Sequence, residues 1–375
     1  MFNLYKMRNI FYGGYGEWDK ERRMERVGMD IKLRRISLFL TEVDFYEKFS
    51  QDSFEEIIQK ARKDENFSEM IKRKYDENDL YYYFHCNYDN QLEHLYDIYK
   101  KLRGDTLVVK YERILGFFLG RVIAKDLISS NAFYNKVKKP MTKDDYYEFD
   151  LKSCYLTLTA NLSYMMDMEC PLLIFLMRNR DRIYGDIKRV YKLGDDDAGN
   201  DFCKKLVFLS FYNPCEEEYK VLYDKMKIDY SIKVPRICNE LSREIKKIRD
   251  KLIENNLELY GEVKRHYREI KDKKYRDRFN QRLGRNSLDG YFMSIYLEEQ
   301  EIRIVDKIIE WLYYYTDCLK YGGKNGYIIY ENDSILLLKS CVDKCFGTPL
   351  NFLDILNRKT KEFFNLPISM EWTFK

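Results

Sequence analysis

Two short runs of strong apolar character, GYIIY at 326–330 and SILLL at 334–338, flank the polar triplet Glu331-Asn332-Asp333. Runs of strand length, rich in Ile, Leu and Tyr and joined by turn-forming residues, predict a β-hairpin. A chain that carries such a hairpin has to supply it with further strands. The nearest candidate lies far upstream, in YYEFDLKSCYLTL at 146–158, which reads as a strand running into a helix. The stretch 106–124 alternates, is rich in Val, Ile, Leu and Phe, and carries glycines at 116 and 120, so it predicts strands with a bend.

Most of the rest predicts helix. Residues 15–110 are mainly helical, with SFEEIIQKARKDENFSEMIKRKYDE as one amphipathic segment and NQLEHLYDIYKKLRG as a second, closed by Gly104. Residues 171–256 return to helix around a loop at Gly194–Gly199. The strongest helical signal spans LDGYFMSIYLEEQEIRIVDKIIEWLYYY, where Leu288, Phe292, Ile295, Ile302, Val305, Ile309 and Leu312 keep a three-to-four spacing. A helix near 349–364 and a strand in PISMEWTF follow. Strands drawn from distant parts of a mostly helical chain define the α+β class.

Composition limits the function classes. With 375 residues the chain is long enough for two or three packed subdomains. The net charge is only +4, so any nucleic-acid surface has to be local. No run of about 18 apolar residues exists, so no membrane partner is expected. The first residues, MFNLYKMRNIFYGG, lack a signal-type apolar core. Nine scattered cysteines without a CxxC pair, and three histidines, argue for buried thiols in a reducing, cytoplasmic compartment rather than for zinc. His85–Cys86 and Cys341–Cys345 are the nearest approach to a metal cluster. Tyr appears 34 times and Ala five times, a bias of AT-rich coding, which is frequent in large DNA viruses and mobile elements.

Carboxylates at a strand end and in a hairpin turn have a chemical use. Transfer of a nucleotidyl group to a 3′-hydroxyl builds charge on the attacking and leaving oxygens, and two divalent ions on rigidly held carboxylates neutralise it. Mg²⁺ needs only one or two carboxylates beside substrate phosphates. Asp150 occupies the strand end and Asp333 the turn.

These residues sit in recognisable company. DLKSCY at 150–155 resembles motif A of DNA polymerases, Asp-x-x-Ser-x-Tyr. The resemblance implies that Asp150 binds both metal ions and that Tyr155 lies under the sugar and excludes a 2′-hydroxyl. NDFCKKLVFLSFYN at 200–213 resembles the fingers helix of family A, where Arg, Lys, Phe and Tyr recur every four residues before a Gly. Lys204, Phe208 and Tyr212 match, and would contact the triphosphate and the base. Asn200 and Asn213 replace Arg and Gly, and Lys205 offers a competing register like that of family B. ENDS at 331–334 resembles motif C. Asp333 matches it, Asn332 stands where family A has His, and Glu331 could serve as a third metal ligand. The 54 residues from Asp150 to Lys204 and the 121 from Tyr212 to Asp333 resemble the spacing of family A.

A narrower resemblance, over roughly 106–375, is to the TV-Pol group of virophages, transpovirons and giant viruses. It implies a right-hand architecture with an antiparallel palm sheet: a helical, thumb-like region at 1–105, palm at 106–160, helical fingers and a basic segment at 161–285, and palm with motif C at 286–375. It also implies Mg²⁺ as two ions, with Mn²⁺ as a substitute, and dNTPs and a DNA template-primer as partners. No G-x-x-x-x-G-K-[ST] occurs, so a helicase or primase would be a separate partner.

The local basic surface is expected in KRHYREIKDKKYRDRFNQRLGR at 264–285, with ten Lys or Arg against three acidic residues. Lys264, Arg265, Arg268, Lys274, Arg282 and Arg285 are candidates for phosphate contacts, and interleaved Tyr267, Tyr275 and Phe279 for base stacking. Arg285 and Asn286, in GRNSLDG, resemble a family A element that contacts the template–primer minor groove. Arg121, in the Gly-Arg strand end, joins them, and Arg180, with Arg178, could supply the phosphate contact missing at Asn200. The expected function is a DNA polymerase. A primase or RNA polymerase of the same fold, and an inactive polymerase-fold binding protein, are the alternatives.

Overall fold

The computed structural model describes residues 33, 36–73, 90–113, 119–133, 135–209, 211, 219, 222–224, 228, 234–272 and 288–375. Side-chain caps fix several helix starts. After α1 (Phe39–Glu42) and the short strand β1 (Phe45–Lys48), α2 (Gln51–Lys63) begins on Ser50, whose hydroxyl accepts from the Ser53 amide. The predicted single helix through 53–77 breaks at Asp64. That residue ends α2 and caps α3 (Glu65–Lys72) by accepting from the Phe67 amide, so a strong N-cap residue overrides continuous helical spacing. Asn90 caps α4 (Gln91–Lys101) in the same way. Gly104, at φ +68°, then turns the chain into β2 (Thr106–Val109).

β1 is a strand where helix was expected. It pairs antiparallel with β2, Phe45 opposite Val109, and tertiary pairing outweighs the helical signal around it. β3 (Tyr111–Arg113) and β4 (Val122–Ala124) pair antiparallel, within the stretch expected to form strands. Next come α5 (Asn135–Thr142), β5 (Tyr146–Leu151), α6 (Cys154–Met165), α7 (Pro171–Arg178), α8 (Arg180–Tyr191) and α9 (Asp197–Leu209). The predicted loop at Gly194–Gly199 is shorter than its glycines imply. Asp196 accepts from the Gly199 amide at 2.8 Å, and Gly199 lies inside α9. A Cβ at position 199 would sit 2.3 Å from the Gly194 carbonyl, so only glycine fits there.

α10 (Arg236–Asn255) and α11 (Leu257–Asp272) lead to α12 (Leu288–Tyr315). The small hairpin of β6 (Lys320–Tyr321) and β7 (Lys324–Asn325) precedes β8 (Ile329–Glu331) and β9 (Ser334–Leu338). Glu331 belongs to β8, so the hairpin turn is only Asn332-Asp333. α13 (Lys339–Phe346), α14 (Pro349–Phe363) and β10 (Trp372–Phe374) complete the described chain. The main sheet has the order β10-β5-β9-β8, antiparallel throughout. The protein is α+β with small antiparallel sheets. Phe149 of β5 is fully buried and meets Phe352 of α14 edge-on at 4.8 Å. Burying a Phe of this kind contributes roughly 1.5–3 kcal/mol.

α12 was expected to be amphipathic, yet it is buried on nearly every side between Gly290 and Leu312. Its acidic and basic groups survive burial because they have partners. Glu299, fully buried, accepts from Arg113 at 2.6 Å, from Arg303 at 2.9 Å and from the Gly120 amide at 3.1 Å. Asp306 accepts from the Phe39 and Leu40 amides and caps α1 from 266 residues away. Burial pushes the Asp306 carboxyl up to about 7, against the pull of those two amides. A carboxyl raised on folding stabilises the protein below its unfolded value, and that contribution is lost as pH rises through the folded value. Stability is therefore expected to fall between about pH 4 and 7. Asp306→Asn should flatten this decline, as read from urea unfolding at pH 5 and 8.

Candidate active site

The ladder between β5 and β9 brings together two residues 183 positions apart. Asp150 is the penultimate residue of β5, with its Cα opposite Ser334 on one side and Thr373 on the other. The Leu151 amide donates to the Asp333 carbonyl at 2.8 Å, which ties the hairpin turn to the end of β5. Asn332 takes the left-handed conformation, φ +50°. Asn enters that region more readily than most residues, so the backbone itself accounts for Asn at this turn position.

Asp150 and Asp333 line one pocket of about 280 Å³ with Glu148, Glu331, Lys138 and Lys375. Burial and the neighbouring charge of Asp150 push the Asp333 carboxyl up to about 6, while Lys204 and Lys375 pull it down. Lys204 of α9 thus shares the electrostatic field of the hairpin turn. Lys205, its neighbour in sequence, is paired with Asp201 on the exposed side of α9. Both side chains are exposed, and the charge of Lys204 is felt at the Asp333 carboxyl.

Glu331 is differently engaged. Both its oxygens lie 2.6 Å from Lys138 Nζ, and both side chains are nearly buried. The Lys375 ammonium sits 2.8 Å from Glu148 and 3.2 Å from Asp150. The carboxylates present hard oxygens, and a cation already stands against one of them, so the residues fit a divalent ion. Among the described residues no group of three or more His, Cys, Asp or Glu forms a metal cage. Two carboxylates leave the remaining ligands to water and phosphate, as Mg²⁺ prefers.

A wall of side chains from α6, α8 and α9, outside the pocket's own lining, follows the end of β5. Ser153 lies at φ +50° just before α6, and its hydroxyl accepts from Arg180 at 3.0 Å. Tyr155, on the first turn of α6, is largely buried and meets Phe208 edge-on with centroids 5.9 Å apart. Lys204 Nζ lies 5.9 Å from the centre of the Phe208 ring. Arg121 pairs with Glu298 at 3.3 Å and interacts with the Tyr155 hydroxyl. Tyr212 and Asn213 lie outside the described residues.

Glu301, which the sequence marks only as the end of a polar turn after Met293, is not among the candidate site residues. It is buried on α12 beneath this wall, and its carboxyl is pushed well up by burial first and then by the charge of Asp333. Nothing in a helix with acids at 289, 298, 299, 301, 306 and 310 marks one of them as a site residue in advance. Lys138 and Lys375 were equally unmarked.

The basic segment is divided. Lys264, Arg265 and Arg268 lie on α11, the two arginines exposed and Lys264 half-buried. Tyr267 is buried against Tyr291 at 5.2 Å, so it packs the core and cannot stack on a base. Burial at helical spacing wins there over the aromatic–basic pattern. Lys274, Tyr275, Phe279, Arg282, Arg285 and Asn286 lie outside the described residues, as do His85 and Cys86. No described helix is long and apolar enough to cross a membrane.

No protein family matches the chain, and no curated protein does. Among solved structures the chain is similar to the POL domain of Pol1 from M. smegmatis, in complex with DNA primer-template and dNTP. The identity is 10% and the TM-score 0.43, over 76% of this chain and 50% of that one. The chain thus spans about half the length of that structure.

Proposed function

We propose that this chain is a template-directed DNA polymerase, transferring a nucleotidyl group from a dNTP to a primer 3′-hydroxyl. The observation that carries the reading is the pairing of Asp150 and Asp333 in one pocket, with Lys204 within the field of Asp333. One carboxylate at the end of a strand and one in the hairpin turn tied to it are held rigidly, as transfer between phosphate oxygens demands. Asp150 and Asp333 would hold Mg²⁺ or Mn²⁺, which supplies Lewis-acid charge at the reacting phosphate.

The chain's own residues account for the rest. Lys204 binds the triphosphate as a point charge, and Arg180, held by Ser153, adds a planar fork for phosphate oxygens. Phe208 offers a ring to the base. Tyr155 is braced by Phe208 and Arg121, so its ring resists displacement by an extra 2′-oxygen. Glu331 supports Lys138 at the pocket edge, and a direct role on the ion would require that pair to open.

The test is extension of a primed DNA template by the purified chain with dNTPs and Mg²⁺. Absence of incorporation on every primed template, with Mn²⁺ as well as Mg²⁺, sinks the proposal. Tyr155→Ala is expected to lower the preference for dNTPs over NTPs by at least ~10-fold, since a pocket's rejection of one added group rests on its shape. Competition between labelled dNTP and NTP reads this ratio directly. An unchanged ratio would move sugar selection to another residue.

A further inference from the structure

The edge strand of the main sheet delivers a cation to the carboxylates. Lys375 follows β10, and its amide donates to the Glu148 carbonyl at 3.1 Å, extending the ladder by one residue. Thr373, two residues earlier, is opposite Asp150. Side chains two apart on a strand share a face, so Lys375 projects from the same side as Thr373. Glu148 and Asp150 are likewise two apart on β5, and the ammonium spans them at 2.8 and 3.2 Å. The Lys375 side chain is 51% exposed, so it can swing away without unpacking the core.

We propose that Lys375 is a tethered counter-ion that holds the cation place on Asp150 until a divalent ion displaces it. This rests on the reading of Asp150 and Asp333 as ion ligands. An ammonium and a divalent ion cannot both lie against the same carboxylate oxygen, because like charges at such separations repel strongly in a half-buried pocket. Lys375 keeps a partner after displacement, since Glu148 remains 2.8 Å from its resting place. The competition lowers the ion affinity of the empty pocket, and the pocket stays neutralised when no ion is present.

The experiment is Mn²⁺ binding to the full chain, followed through the electron paramagnetic resonance signal of the free ion. Lys375→Met is expected to tighten Mn²⁺ binding by roughly 1.5- to 5-fold, the range set by a partly exposed ion pair. Lys375→Arg, which keeps the charge, should stay close to the parent chain. Asp150→Asn should remove the binding in all three backgrounds. Unchanged or weaker binding in Lys375→Met, with Asp150 dependence intact, overturns the counter-ion and leaves the ligand reading standing. Absence of Asp150-dependent binding in every variant overturns both.

Discussion

Asp333→Asn is expected to reduce nucleotide incorporation by at least about a thousandfold while raising thermal stability. The loss follows from removing one of the two carboxylates that would hold the proposed charge-neutralising ions, a contribution of several kcal/mol to the barrier. The gain follows from the same feature. Asp333 is mostly buried and faces Asp150, and its carboxyl is pushed up to about 6 by burial and by that charge. The group stabilises the fold only below its unfolded value, and that contribution disappears as pH rises through about 6. A neutral amide of the same size removes the repulsion. In buffer without divalent ions, melting curves at pH 8 should therefore favour Asp333→Asn by a few degrees, and curves at pH 4 should bring the two proteins together. Full incorporation by the variant removes Asp333 from the reaction. A lower melting temperature at pH 8 would instead make Asp333 a structural turn residue.

Glu299→Ala is expected to cost about 3–5 kcal/mol of stability, as removal of one partner from a buried ion pair does. Glu299 is fully buried between Arg113 and Arg303, which are themselves nearly buried. Removing the carboxylate leaves two cations facing each other without a counter-charge. It also frees the Gly120 amide, so the support of the neighbouring Arg121 is lost. Glu299→Gln keeps an acceptor without the charge and should fall between the two. Urea unfolding by circular dichroism measures both. A loss under about 1 kcal/mol for the alanine variant would show that the two arginines find other partners.

The sequence reveals those features that depend on local periodicity. The β8–β9 hairpin, the passage from β5 into α6 and the length of α12 all follow from patterns within ten to thirty residues. Asp150 and Asp333 stand out because each interrupts or ends an apolar strand. The missed features depend on distant neighbours. β1 is four residues long and is defined by its pairing with β2, some sixty positions away. The Asp64 break is legible from cap chemistry, but helical spacing on both sides hides it. Glu299, Glu301 and Asp306 look like the solvent face of an amphipathic helix. Their burial is set by what packs against α12, and no pattern within the helix encodes that. Lys375 enters the pocket only through a three-residue strand paired across more than 220 positions. Asn332 is the reverse case: a departure from a family pattern that the hairpin's backbone explains.

The order of strands in the main sheet has a consequence for biosynthesis. β5 lies between β10 and β9, so both neighbours of the strand that carries Asp150 are made long after it. While a ribosome has yet to release residues 329–375, Asp150 has neither Asp333 beside it nor the β10 edge behind it. The nascent chain therefore lacks the paired carboxylates, and chains interrupted anywhere in their first three hundred residues never assemble this pocket.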